Sequence, residues 1–148
     1  MLQMDIDRFR ARRMLATSEK YLSGIIFDRV ADEECFGRIR SKGDEALFGG
    51  ASTAAMKVNL GVPKGHALAD FLPLITVKAK DFANSLTNLN ILRYDHRTEA
   101  QITREHELNN SGIRKLLIDR HIHPEDLRPA EDIEKTARRF VKEQENAP

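Results

Sequence analysis

Apolar residues return every three or four positions along most of this chain, and no stretch alternates with the period of two that a half-buried strand requires. Met4, Ala11, Leu15, Ser18, Leu22 and Ile25 fall at helical spacing, with Arg8, Arg10, Arg12, Arg13 and Lys20 mostly on other faces. The spacing predicts one long helix over 2–30, best packed at 21–27, with Gly24 its only interior glycine. Asp32-Glu33-Glu34 sets acids where a helix starts, so a short helix is expected over 33–42 with Cys35, Phe36 and Ile39 inward. Ser41-Lys42-Gly43-Asp44 reads as its stop.

The stretch 47–65 is the compact bend of the chain. Leu47-Phe48 is an apolar plug, and Gly49-Gly50 permits a turn closed to other residues. Ser52 or Thr53 caps a helix over 53–59, ended by Gly61, and Val62-Pro63-Lys64-Gly65 is a turn. A second short helix is expected over 66–72, with Leu68, Phe71 and Leu72 inward.

The cleanest pattern follows, over 74–93. Ile75, Ala79, Phe82, Leu86 and Leu89 recur at spacings of 4, 3, 4 and 3, one helix face or a coiled-coil seam. It reads first as core and second as an interface left over for another copy of the chain. Residues 93–97 form an exposed corner. Residues 98–109 are helical but poorly apolar, with Ala100, Ile102 and Leu108 as the candidates for burial. Either this helix continues through Asn109-Asn110-Ser111 or a fresh one is capped there; Ile113, Leu116 and Leu117 are the inward set beyond. The continuous reading is preferred. His121-Ile122-His123 is a connector, and Pro124 opens a single turn over 124–127. A last helix over 130–144 carries Glu131 and Asp132 at its start and Ile133, Ala137, Phe140 and Val141 as its stripe; the tail 145–148 frays. The expected fold is all-α: one helical domain over 1–148, with long amphipathic helices, two short helices between them, and an elongated or dimeric form.

Composition agrees with long helices and thin apolar seams. Of 148 residues 32% are charged and only 6% aromatic, with no Trp. Net charge is +1, which gives no global electrostatic case for nucleic acid, membrane or acidic substrate. Locally the balance shifts: residues 36–80 carry Arg38, Arg40, Lys42, Lys57, Lys64, Lys78 and Lys80 against Asp44, Glu45 and Asp70. A single cysteine, Cys35, rules out an intrachain disulfide and suits a reducing compartment. With no secretory pattern at the N-terminus and no run of about 20 apolar residues, a cytoplasmic protein without a membrane span is expected.

No motif assembles a catalytic or metal site. Gly49-Gly50 ahead of Ser52-Thr53 lacks the G-x-x-x-x-G-K-[ST] pattern and reads as a turn and cap. Residues 53–72 imitate a helix-turn-helix, but the second helix offers Ala67 and Ala69 where base-reading side chains are needed. His121-x-His123 with His106 or His96 does not make zinc spacing. Nothing makes Glu105, Glu107 and Asp119 converge as acid and base, and Cys35 has no identifiable His partner. The reading is non-enzymatic, with no cofactor and no metal. Lys57, Lys64, Lys78 and Lys80, with Arg93 and Arg97, are the candidate contacts for nucleic-acid phosphates or a partner.

Three segments together resemble the C-terminal half of DNA-damage-inducible protein D, the DinD family of bacteria. The first is Leu47-Phe48-Gly49-Gly50, then Lys57, Leu60-Gly61-Val62, Lys64-Gly65, Leu68, Asp70 and Phe71. The second is Ala79-Lys80-Asp81-Phe82-Ala83 with Thr87-Asn88. The third is Asn109-Asn110-Ser111-Gly112-Ile113-Arg114-Lys115-Leu116-Leu117, then Arg120-His121-Ile122-His123-Pro124-Glu125-Asp126-Leu127 and Ala130-Glu131-Asp132-Ile133. The N-terminal BRO-type domain usual in that family, to which DNA binding is ascribed, has no counterpart here. The resemblance implies a bacterial SOS-response protein that modulates the RecA recombinase filament on single-stranded DNA through helix-face contacts. The alternative is a nucleic-acid-binding regulator using the basic segment 36–80, with nonspecific DNA as its partner. A homodimer is expected in either case.

Overall fold

The computed structural model describes residues 3–148. Six α-helices and two 3-10 turns account for its regular structure, and no strand occurs among the described residues. Helices α1 (Gln3–Val30) and α2 (Cys35–Leu47) form one antiparallel hairpin; α4 (Leu74–Tyr94) and α5 (Glu99–Asp119) form another. The hairpins lie side by side with matching directions. Along α1 and α4, Arg8 meets Leu72, Ser18 meets Asn84, and Arg29 meets Asp95. Along α2 and α5, Arg38 meets Glu99, Gly43 faces His106, and the Leu47 carbonyl accepts from Arg114. The result is a four-helix bundle. Helix α3 (Thr53–Leu60) and the 3-10 turn Leu68–Phe71 close one end, and α6 (Ile133–Glu145) packs beside that turn.

Local chemistry accounts for the boundaries. Ser52 caps α3 by accepting from the Ala55 N–H at 3.1 Å, and Gly61 ends it at φ +68°. Thr98 and Gln101 form a reciprocal capping box at the start of α5. Asp132 caps α6 at the Glu134 N–H. Helix α5 runs unbroken through Asn109-Asn110-Ser111, because Asn110 sits inside the bundle and donates back to the His106 carbonyl at 2.9 Å. The turn at 47–50 is fastened from across the bundle: Arg114 donates to the Leu47 carbonyl at 2.9 Å and to Glu125 at 2.8 Å, both passing over Gly49. At φ +67°, with those side chains within 3 Å of any Cβ, position 49 admits only glycine.

The core is in two parts. Ala11, Leu15, Leu47, Phe48, Met56, Leu68, Leu72, Val77 and Leu117 fill the end capped by α3. Leu22, Ile26, Cys35, Ile39, Ile91 and Ile102 fill the other. Between them lies a buried polar layer of Ser18, Asn84, Thr87, His106 and Asn110.

Four expectations are corrected here. Helix α2 runs to Leu47 instead of stopping at 41–44. Gly43 is not a stop but a gap into which the His106 ring fits, and Asp44 is held by an ion pair inside the bundle. The expected helix at 66–72 is only the 3-10 turn Leu68–Phe71. The face of α4 is reversed: of the seam Ile75, Ala79, Phe82, Leu86 and Leu89, only Ala79 is buried, while Ile75, Phe82 and Leu89 are 45%, 58% and 52% exposed. The buried face consists of Thr76, Val77, Lys80, Ala83, Asn84, Thr87, Asn88 and Ile91. The fourth concerns single positions. Met4, Ala100, Leu108, Leu116 and Val141 lie at the surface.

Two glycines of α2 make a matched test. A Cβ at position 43 would overlap the buried His106 ring and stand 2.9 Å from Asn110, whereas one at position 37 meets nothing. Gly43→Ala should therefore destabilise by about 1–3 kcal/mol from overpacking, against the helix-propensity gain. Gly37→Ala should stabilise by roughly 0.5–1 kcal/mol. Urea melts of the pair give the comparison; equal shifts would show that position 43 is not packed.

Candidate functional site

The basic residues singled out from the sequence do not form one face. Lys78 and Lys80 lie on opposite sides of α4: Lys78 is exposed, while Lys80 is 6% exposed and its Nζ donates to Asp44 Oδ1 at 2.7 Å. The other oxygen of Asp44 accepts from Thr53 at 2.5 Å, at the first position of α3. Lys80 is thus a structural cation, a correction to its expected role as an outward contact. An ammonium is buried only where a carboxylate compensates for lost hydration, and Asp44 does so. Lys64 is exposed in the turn after α3, and Lys57 is half-buried on α3. Arg93 stacks on its neighbour Tyr94 at 5.1 Å, and Arg97 pairs with Asp95 at 2.9 Å. Arg93 sits in the last turn of α4 and Arg97 in the exposed corner that follows it.

Cys35, Glu105 and His106, considered for chemistry from the sequence, lie in separate surroundings. Burial first, then the neighbouring Glu99 carboxylate, pushes the Cys35 thiol up to about 11, so it stays protonated at neutral pH. Burial tends to raise Glu105, but hydrogen bonds from Asn90 and His96 outweigh it and hold the carboxyl below its usual range. His106 lies within the polar layer. The Thr87 hydroxyl gives its one proton to the Ala83 carbonyl, so His106 Nδ1–H donates to Thr87 Oγ1, at 2.7 Å. Burial pulls the His106 pKa down to about 4, opposed by Asp44 and Glu105 and reinforced by Lys80. His121 and His123 are exposed beyond the end of α5 and do not join it. Among the described residues, His66, Asp132 and Glu134 are the group whose ligand atoms lie within 4.8 Å of one another, and these would be the donors to a cation. No sequence spacing marks them, because they are brought together by α6 docking beside the 3-10 turn.

Two surfaces remain that the sequence did not delimit. The outer face of α4 presents Ile75, Phe82, Leu89 and Leu92 to solvent. Beside it runs an open, mainly apolar groove of about 700 Å³ between α1 and α4, lined by Met14, Tyr21, Ser85 and Asn88 with Arg13 and Asp81 at its edges. The second is a small half-enclosed cavity of about 50 Å³, where α1, α2, α3 and α4 meet, lined by several cations. Comparison with protein-family models, with curated proteins and with solved structures finds no match. No helix among the described residues is long and apolar enough to cross a membrane.

Two measurements check these placements. Lys80→Met leaves Asp44 buried and unpaired and should cost on the order of 3–5 kcal/mol. Lys78→Met, on the exposed side, should stay within about 0.5 kcal/mol in the same thermal melts. For His106 the folded pKa lies below the unfolded value, so the unfolded chain takes up more protons between the two. Stability should therefore fall as pH drops from about 6.5 toward about 4, by roughly 3 kcal/mol in total from this group. His106→Gln should remove that part of the slope in a Tm-against-pH series; an unchanged slope would assign it elsewhere.

Proposed function

We propose that this chain is a non-catalytic helical module that works by presenting the outer face of α4 to another protein. The observation that carries the reading is the exposure of Ile75, Phe82 and Leu89, three large apolar side chains seven residues apart, on a helix that buries Lys80, Asn84, Thr87 and Asn88 on its inner face. An apolar stripe left outside while Lys80, Asn84 and Thr87 are kept inside suits a surface that is covered on association. The resemblance to the DinD family makes a RecA-type recombinase on single-stranded DNA the expected partner, in the cytoplasm of a bacterium responding to DNA damage. Binding through this face would act on the filament by contact, competitively or allosterically.

A second reading is favoured by the spacing itself. Positions 75, 82 and 89 are heptad-related, and a heptad seam pairs readily with its own copy around a two-fold axis. In that case α4 would form a homodimer and the partner would meet the dimer elsewhere.

A pull-down with recombinase, with and without single-stranded DNA and nucleotide, tests the first reading; capture in no condition would sink it. Phe82→Glu with Leu89→Glu should weaken capture tenfold or more, about 1.4 kcal/mol or above, while stability moves by about 0.5 kcal/mol or less because both sites are exposed. Light scattering at several concentrations tests the second. Dimer mass that reverts to monomer in the double variant supports it, and monomer mass throughout removes it.

A further inference from the structure

The docking of α6 brings together three side chains of metal-binding chemistry that the partner reading does not use. His66 lies in the turn between α3 and the 3-10 turn Leu68–Phe71. Asp132 is the N-cap of α6, and Glu134 stands in its first turn. Their ligand atoms all lie within 4.8 Å of one another. Glu134 is exposed and the other two are half-buried, so the group is open to an ion from solvent.

The arrangement of the donors suits a shared cation. Asp132 accepts the Glu134 N–H on Oδ1 at 3.0 Å, which fixes the carboxylate and leaves Oδ2 toward His66. Oδ2 and His66 Nδ1 are 3.6 Å apart, too far for a hydrogen bond. Two ligands that share a tetrahedral ion at about 2.1 Å stand roughly 3.4 Å apart, close to that gap. The His66 ring is steadied edge-on against Phe71 at 6.1 Å. The Glu134 carboxylate has no partner among the described residues and needs only a short swing at the surface to complete the set. Arg8 senses the charge of Asp132, but its N–H groups go to the carbonyls of Asp70 and Leu72. Two carboxylates match the charge of a divalent ion, and the imidazole favours one of the zinc type over magnesium or calcium, which take oxygen ligands.

We propose that His66, Asp132 and Glu134 form a binding site for a divalent transition-metal ion of the zinc type, with the remaining position left to water. The ion fastens α6 to the turn at 62–66. It adds to the Ala130 N–H bond to the Phe71 carbonyl at 2.8 Å and the Arg139–Asp5 pair at 3.7 Å. None of the three ligands belongs to α4, so this site and the partner reading stand or fall separately.

The test is titration of the full chain with zinc chloride, followed by calorimetry and by amide hydrogen exchange along α6. Saturable binding of a single ion per chain, with slower exchange in α6, is expected. His66→Gln and Glu134→Gln should each weaken binding tenfold or more. Glu134 is exposed, so that variant keeps the test valid even where His66→Gln melts early. Asp132→Asn keeps an N-cap residue while removing one charge, and should weaken binding without unwinding the helix. Cobalt in place of zinc should show visible d–d bands without thiolate charge transfer, since Cys35 is not a ligand. No saturable zinc binding, a thiolate band with cobalt, or binding undiminished in His66→Gln and Glu134→Gln would overturn the proposal. So would binding lost instead when His121 and His123, the exposed pair after α5, are both changed to Asn.

Discussion

A carboxylate and an ammonium that are both out of water must stay together, and in this chain that requirement fixes three helices at once. Asp44 comes from the last turns of α2, Lys80 from α4, and Thr53, which donates to the second oxygen of Asp44, from the first turn of α3. Separating any of them would strand a charge in the interior. The pair therefore sets how far α2 continues, where α3 starts after the Gly49-Gly50 turn, and which side of α4 faces inward. Once Lys80 is inside, Thr76, Ala83 and Thr87, at helical spacing from it, are inside as well. Ile75, Phe82 and Leu89 are then outside as a geometric result.

The same rotation of α4 explains the polar layer. Ser18, Asn84, Thr87, His106 and Asn110 occupy the middle of the bundle, and the apolar side chains gather above and below. Nearly every member has a partner: Asn84 donates to Ser18, His106 meets Thr87, Asn109 donates to Thr87, and Asn110 donates to the His106 carbonyl. A satisfied layer contributes less to stability than apolar packing but permits one register, because sliding a helix by a turn would leave several donors unmatched. Gly43 belongs to this layer as much as any polar residue, since its missing side chain makes the place for the His106 ring.

These two features mark what the sequence could and could not reveal. The all-α class, the extents of α3 and α4 and of α1 from residue 3 (residue 2 of the expected helix lies outside the described residues), the caps at Ser52 and Gly61 and an exposed corner after Tyr94 are all local signals, and all are observed. The α2 boundary and the inner face of α4 are not local. Gly43-Asp44 has the chemistry of a stop, and only a lysine 36 residues away makes it helix interior. On α4 the rule that apolar residues lie inside points to the wrong face, because Lys80, Asn84 and Thr87 find partners across the bundle. The cationic cavity was half legible: segment 36–80 is basic, but Arg12 comes from α1, and nothing in the chain's order joins it to Arg40 and Lys57. The stripe on α4 is legible as one helix face, but the first reading of it as core fails, since Ile75, Phe82 and Leu89 are exposed.

The side-by-side arrangement of the two hairpins has a kinetic consequence. The bonds that join α1 to the 68–96 region, and α2 to α5, span 58 to 70 residues of chain. Each hairpin can form from nearby sequence, but joining them means closing a loop of that length before any of these contacts is gained. Bundles whose neighbours in space are also neighbours in sequence avoid this entropic step and reach the microsecond range. Folding of this chain is therefore expected to be slower than that of a bundle whose pairings are all local, because the two helical pairs meet only after that loop closes.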